Sequence, residues 1–193
     1  MKTSFVVMAD PRRRRRALAL AEEMEGAPIA WAAPPWATKD DWGPVWRTRR
    51  AALLMHTDAP FHCVVQDDVV LARDFLYRVD RMVEAGDFLY MLFFRKKRNW
   101  PEANKAADVR RDFIFANGPL LGPGLVFPTH WIADLIEFCD ELDPRWGDDD
   151  RMRRWLRARG LSTYIPIPSL VDHAPNGSLI GNGNNRQAWR FRR

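Results

Sequence analysis

Two runs of carboxylates stand where this chain could do chemistry. The first, Gln66-Asp67-Asp68, closes the apolar run Phe61-His62-Cys63-Val64-Val65. Adjacent carboxylates at the end of a buried segment are costly unless a cation or hydrogen bonds compensate. A divalent ion shared with a diphosphate is one compensation, because Mg2+ and Mn2+ combine few protein carboxylates with phosphate oxygens. A surface turn, with Asp67 and Asp68 capping the next element, is the other. The second run, Asp148-Asp149-Asp150, heads an arginine-rich segment with helix-forming composition. Acids there either complement the helix dipole or set a general base within reach of a hydroxyl.

Arg12 to Arg16 are consecutive arginines at the start of another helical segment, after Ala9-Asp10-Pro11. At a helix N-terminus they oppose the macrodipole, so either an anion offsets them or they form a solvated basic face. Guanidinium grips phosphate bidentately, which makes a phosphate-bearing partner the functional reading. His173, in Pro168-Ser169-Leu170-Val171-Asp172-His173, is either structural or a metal ligand. His56, His62 and His130 fall on a helix face, in a strand and at a helix start. Trp36 and Trp100 either pack or stack on a base or sugar.

The elements that would hold these residues follow from periodicity. Residues 4–8, 28–31, 61–66, 88–94, 112–116, 125–127 and 162–167 predict strands, and 61–66 has the continuous apolar character of a buried parallel strand. Residues 12–25, 45–56, 75–85, 129–142 and 151–159 predict helices, with Asp10 as an N-cap and Pro11 in the first turn. Residues 95–111 are polar and aperiodic and predict a loop, and 118–124 predict a glycine-marked turn. Alternating strands and helices argue an α/β fold with a largely parallel sheet, whose site lies at the carboxyl ends of the strands.

The chain has 193 residues, enough for one core, with 47% hydrophobic residues and nine Trp, which excludes disorder for most of it. No run is long enough to span a membrane and the N-terminal apolar run is too short for a signal peptide, so a cytoplasmic protein is expected. Cys63 and Cys139 stand apart in apolar runs and read as core residues, not as a disulfide framework or zinc knuckle. Thirty Lys+Arg against 25 Asp+Glu give a net charge of +5, and arginine dominates the cations.

Together the motifs resemble nucleotide-sugar-dependent glycosyltransferases of the GT-A fold, particularly the small ones of bacteria and their phages. Gln66-Asp67-Asp68 resembles the D-x-D motif, Gly122-Pro123-Gly124 the glycine loop facing the donor sugar, Asp148-Asp149-Asp150 the acidic acceptor element, and His173 the C-terminal metal-binding histidine. Their order is that of the family over about residues 4 to 180. The first position of the acidic motif departs from it: Gln66 is neutral, suited to a ribose hydroxyl and not to a metal.

The resemblance implies a single-domain, GT-A-like (Rossmann-like) α/β fold over residues 1–180, with a basic tail at 181–193. It implies Asp149 as first candidate for the catalytic base and Asp148 as the next. Donor binding would fall to Ala9, Asp10, Arg12, Gln66, Asp67, Asn117, Gly122 and Gly124, with Gly118 beside Asn117. Asp68 and His173 would hold a divalent metal, Mn2+ or Mg2+. The donor would be a UDP-sugar.

Three functions remain open on these residues. One is sugar transfer to a hydroxymethylated pyrimidine in DNA, with the arginines of 151–159 and the tail 186–193 meeting the duplex. Another is transfer to a lipid-linked or surface glycan, without integral membrane association. The last is a non-catalytic nucleic-acid-binding protein, which leaves the clustered acids facing phosphate.

Overall fold

The computed structural model describes residues 1–38, 40–97, 100–108, 112–117, 120–174 and 187–193. Gly118 and residues 181–186 of the tail lie outside the described residues. In chain order the elements are β1 (Thr3–Ala9), a 3-10 turn (Pro11–Arg13), α1 (Arg14–Glu23), β2 (Ile29–Trp31), α2 (Gly43–Leu53), β3 (Phe61–Gln66) and β4 (Val69–Leu71). There follow α3 (Phe75–Met82), β5 (Leu89–Met91), α4 (Pro101–Asp108), β6 (Phe113–Ala116) and β7 (Gly124–Pro128). The chain continues through α5 (Ile132–Asp140), α6 (Asp148–Ala158), β8 (Thr163–Pro166) and β9 (Val171–His173).

Seven strands form one sheet in the order β2-β1-β3-β7-β5-β8-β6, and β4 pairs with β9. β1 runs parallel to β2 and β3, and β5 runs parallel to β8. β7 is antiparallel to both β3 and β5, and β6 is antiparallel to β8, so five of the seven strands share one direction. The expected α/β fold, a mostly parallel sheet flanked by helices, is the one observed.

Each face of the sheet buries its own side chains. Val6, Met8, Val64, Met91 and Leu125 pack with Trp46 and Leu53 of α2 and Met152 and Trp155 of α6. Phe5, Val7, Val65 and Leu92 pack with Leu20 of α1 and Phe75 and Val79 of α3 on the other face. Burial of each such side chain contributes about 1.5–3 kcal/mol, which holds the helices over the strands. Cys63 and Cys139 are buried free thiols, as expected.

Several details depart from the sequence reading. The expected loop at 95–111 contains α4, which opens on Pro101 and buries only Ala103 and Ala107, too little apolar surface to register as periodicity. Gly124 is the first residue of β7, not part of a turn, and pairs with Val65. The helix expected from 151 begins at Asp148, so all three acids lie in its first turn.

Candidate active site

Chain direction brings the ends of β1 and β3 to the same edge of the sheet, with Met8 opposite Gln66. Ala9 ends β1, and its carbonyl accepts the Ala32 N–H at 2.7 Å. Asp10 then caps the 3-10 turn by accepting the Arg12 N–H at 2.9 Å. Its carboxylate also takes the Arg12 guanidinium at 2.9 and 2.6 Å, which holds the Asp10 carboxyl below its ordinary value. Arg12 in turn lies 5.2 Å from the Trp36 ring.

Asp67 is buried, and burial raises its carboxyl pKa although two donors lower it. Those donors are the Asp10 N–H, 2.8 Å from Oδ2, and Arg13 Nη1, 3.1 Å from Oδ1. Arg13 Nη1 also lies 3.3 Å from Asp68 Oδ2. The same Asp68 oxygen is 3.8 Å from His173 Nδ1, while Asp68 Oδ1 is buried without a hydrogen-bond partner. β9 delivers His173 to this place by pairing with β4, Val69 opposite His173, and the ring is steadied edge-on against Phe93 at 4.9 Å.

A second group forms at the start of α6. Asp148 is buried, and its Oδ2 receives Arg49 Nε at 2.9 Å. Arg49 is fully buried on α2, and its Nη2 donates to the Gly122 carbonyl at 2.6 Å. Asp149 differs from its neighbour: its Oδ1 is buried and accepts no hydrogen bond. Burial first, then the Asp148 charge, push the Asp149 carboxyl up to about 8, against the opposing pull of Arg49 and Lys97. A Cβ built on Gly122 would lie 2.6 Å from Asp149 Oδ1 and 2.9 Å from Arg49 Nη2, so only glycine lets the loop backbone reach these side chains.

The tripeptide Gly122-Pro123-Gly124 joins the two groups. The Gln66 N–H donates to the Pro123 carbonyl at 2.8 Å, and Gly124 pairs with Val65, while Gly122 touches the acids of α6. Gln66, Asp67, Asp68, His173, Gly122, Asp148 and Asp149 thus collect along one edge, with Ala9, Asp10 and Arg12 beside them. Gly124 is packed between Val171 and Leu92. Asn117 is not brought in: it follows the reversed strand β6, accepts the Ser162 hydroxyl at 2.5 Å and lies at the opposite end of the sheet.

Sequence reasoning missed Arg49. Its spacing from Val45, Ala52 and Leu53 places it on the face of α2 that packs inward, and a charge at such a position is itself the signal of a buried partner. The members of the arginine run differ. Arg13 holds Asp67 and Asp68, Arg16 donates to the Val69 carbonyl at 2.9 Å, and Arg14 lies over Trp31.

Asp68 and His173 can hold a divalent cation as protein ligands alongside phosphate oxygens, and the orphaned Asp68 Oδ1 is a vacant acceptor for it. Among the described residues no three His, Cys, Asp or Glu side chains cluster as a complete metal cage. No described helix is long and apolar enough to cross a membrane.

No family model and no curated protein sequence matches the chain. Solved structures do. A197 from STIV superposes with a TM-score of 0.53 at 15% identity, over 89% of this chain and 84% of that one. The catalytic domain of Drosophila beta1,4-galactosyltransferase 7 with xylobiose gives 0.46 at 11% identity, over 96% of this chain and 69% of that one. Its D211N mutant with manganese, UDP-Gal and xylobiose gives 0.43 at 9%, over 96% and 70%. At these identities the likeness to A197 concerns the fold.

Proposed function

We propose that the protein is a glycosyltransferase that moves a sugar from a nucleotide sugar, a UDP-sugar, to an acceptor hydroxyl. The observation that carries this reading is the junction of two carboxylate groups through Gly122-Pro123-Gly124: the Asp67, Asp68 and His173 group after β3, and Asp149, whose Oδ1 accepts no hydrogen bond, at the head of α6. A binding protein for nucleic acid has no use for buried, unpartnered acid at its site.

The chemistry divides between the groups. Asp149 Oδ1 takes the proton of the attacking hydroxyl, whose oxygen bonds to the anomeric carbon as the bond to the leaving diphosphate breaks and its electron pair leaves with the phosphate oxygen. A carboxyl raised well above its usual range is a stronger base once ionised, nearer to what a hydroxyl requires. Asp148, locked by Arg49, keeps the first turn of α6 and Gly122 in register. Arg12 and Arg13 stand on the donor side, where charge develops on the diphosphate. A divalent ion bound by Asp68 and His173 would supply further neutralisation of that charge.

Several arginines of α6, and Arg159 just after it, already have partners. Arg153 pairs with Asp150, Arg159 with Asp134 at 2.5 Å, Arg154 lies over Trp146, and Arg151 donates to the carbonyls of Cys139, Asp143 and Trp146. Arg151 and Arg154 keep their charge in these contacts, so a glycan hydroxyl and a hydroxymethylated pyrimidine of DNA both stay open as acceptors.

The test is a thermal-shift screen of nucleotide sugars with and without Mn2+. A UDP-sugar at about a hundred times its Kd stabilises by about 2.7 kcal/mol, and the melting temperature should rise by several degrees. If no nucleotide sugar raises it and none is hydrolysed or transferred, the proposal fails. Transfer to glycan and to hydroxymethylated DNA, each across a salt series, then assigns the acceptor.

A further inference from the structure

We propose that Arg13 is the resident counter-ion of the Asp67 and Asp68 carboxylates and releases Asp68 when a divalent cation arrives with a nucleoside diphosphate. This rests on the nucleotide-sugar reading for the identity of the diphosphate. The geometry of the arginine and its two acids stands independently of it.

The two acids hold Arg13 unequally. Asp67 is the deeper, its side chain 6% exposed, and it has a second donor in the Asp10 N–H. Arg13 meets it at 3.1 Å. Asp68 is 18% exposed and meets Arg13 at 3.3 Å through an oxygen that also faces His173, while its other oxygen is buried and receives nothing. An ionised carboxylate has room for several donors, so Asp68 is the underserved member of the pair. A divalent cation would serve it better than one shared guanidinium contact.

Both cations cannot keep Asp68 at full strength, since like charges repel strongly over a few ångströms in a partly buried site. Asp67 supplies the alternative: Arg13 can keep that contact while giving up the one to Asp68. A diphosphate bound to the cation would then meet a planar fork suited to phosphate oxygens. Cation and nucleotide therefore bind as a coupled pair. The cation alone must displace Arg13 without recompense, whereas the cation with diphosphate gives the guanidinium a new anion.

Mn2+ titrations followed by the electron paramagnetic resonance signal of the free ion test this directly, without turnover. In the absence of nucleotide, Arg13→Gln should bind Mn2+ about tenfold or more tightly than the wild type, and Arg13→Lys should fall between them. UDP should tighten Mn2+ binding strongly in the wild type and far less in Arg13→Gln. Asp68→Asn should lose Mn2+ binding in either background. Circular dichroism spectra matching the wild type confirm that each variant is folded. Unchanged or weaker Mn2+ binding by Arg13→Gln overturns the proposal, as does absence of Mn2+ binding in every variant. Hydrolysis or transfer of a nucleotide sugar in the presence of Mn2+ reads the transferase proposal separately, so either can fail alone.

Discussion

Ionised Asp149 is expensive to hold, since burial and the Asp148 charge both oppose it. With a folded value of about 8 and an unfolded value in the ordinary carboxylate range, ionisation removes stability progressively as pH rises between them. Asp149→Asn keeps the shape and stays neutral, so it should melt higher than the wild type at pH 8, by about 1–3 kcal/mol or roughly 2–4 °C per kcal/mol. Transfer should fall by about a hundredfold or more in the same variant. Wild-type activity should decline as pH drops below about 8, because the base is then protonated. An unchanged pH profile with full activity in Asp149→Asn would remove Asp149 from catalysis. Arg49 acts by position: Arg49→Met leaves Asp148 buried beside Gly122 without its guanidinium, at a cost of about 3–5 kcal/mol in urea unfolding. The acids and the histidine were legible as residue types at the end of an apolar run, whereas their pairing with Arg13 and Arg49 depends on contacts across 54 and 99 residues of chain.

The elements differ in how openly the sequence announces them. β3 was readable because five apolar or neutral residues in a row need burial on both faces, and the sheet supplies it. β4 was not, since three residues carry no period and its partner β9 lies a hundred positions on. α4 was missed because alanines at a four-residue spacing give a weak apolar stripe. His62 of β3 carries an energetic consequence. Its ring is fully buried, bonded to Ser4 Oγ at 2.8 Å and to the Ala52 carbonyl at 2.9 Å, and burial lowers its pKa to about 4. A lowered histidine pKa means that stability is present above about 6.5 and lost as pH falls toward 4, on the order of 3 kcal/mol. Urea unfolding at pH 7 and pH 4.5 should show this loss, and His62→Gln should flatten it. Equal pH dependence in the two proteins would show that another group titrates.

At the scale of the whole molecule, the net charge of +5 conceals how much of the arginine is spoken for. Asp10, Asp67, Asp68, Asp134, Asp148 and Asp150 each hold a guanidinium, and the sites of interest are where such pairs are buried or incomplete. The fold class was legible from alternating strands and helices, but the sheet order was not, because the reversal of β7 leaves no mark in composition. That strand has a further consequence. β7 occupies the middle of the sheet, between β3 and β5, yet it is synthesised after both. As the chain leaves the ribosome, β3 and β5 therefore present open edges until Pro128 has emerged, and premature pairing of those edges would shut out the central strand. The order of synthesis runs against the order of assembly, so nascent chains need shielding through the first two-thirds of translation, and the sheet closes late by insertion of a strand at its centre.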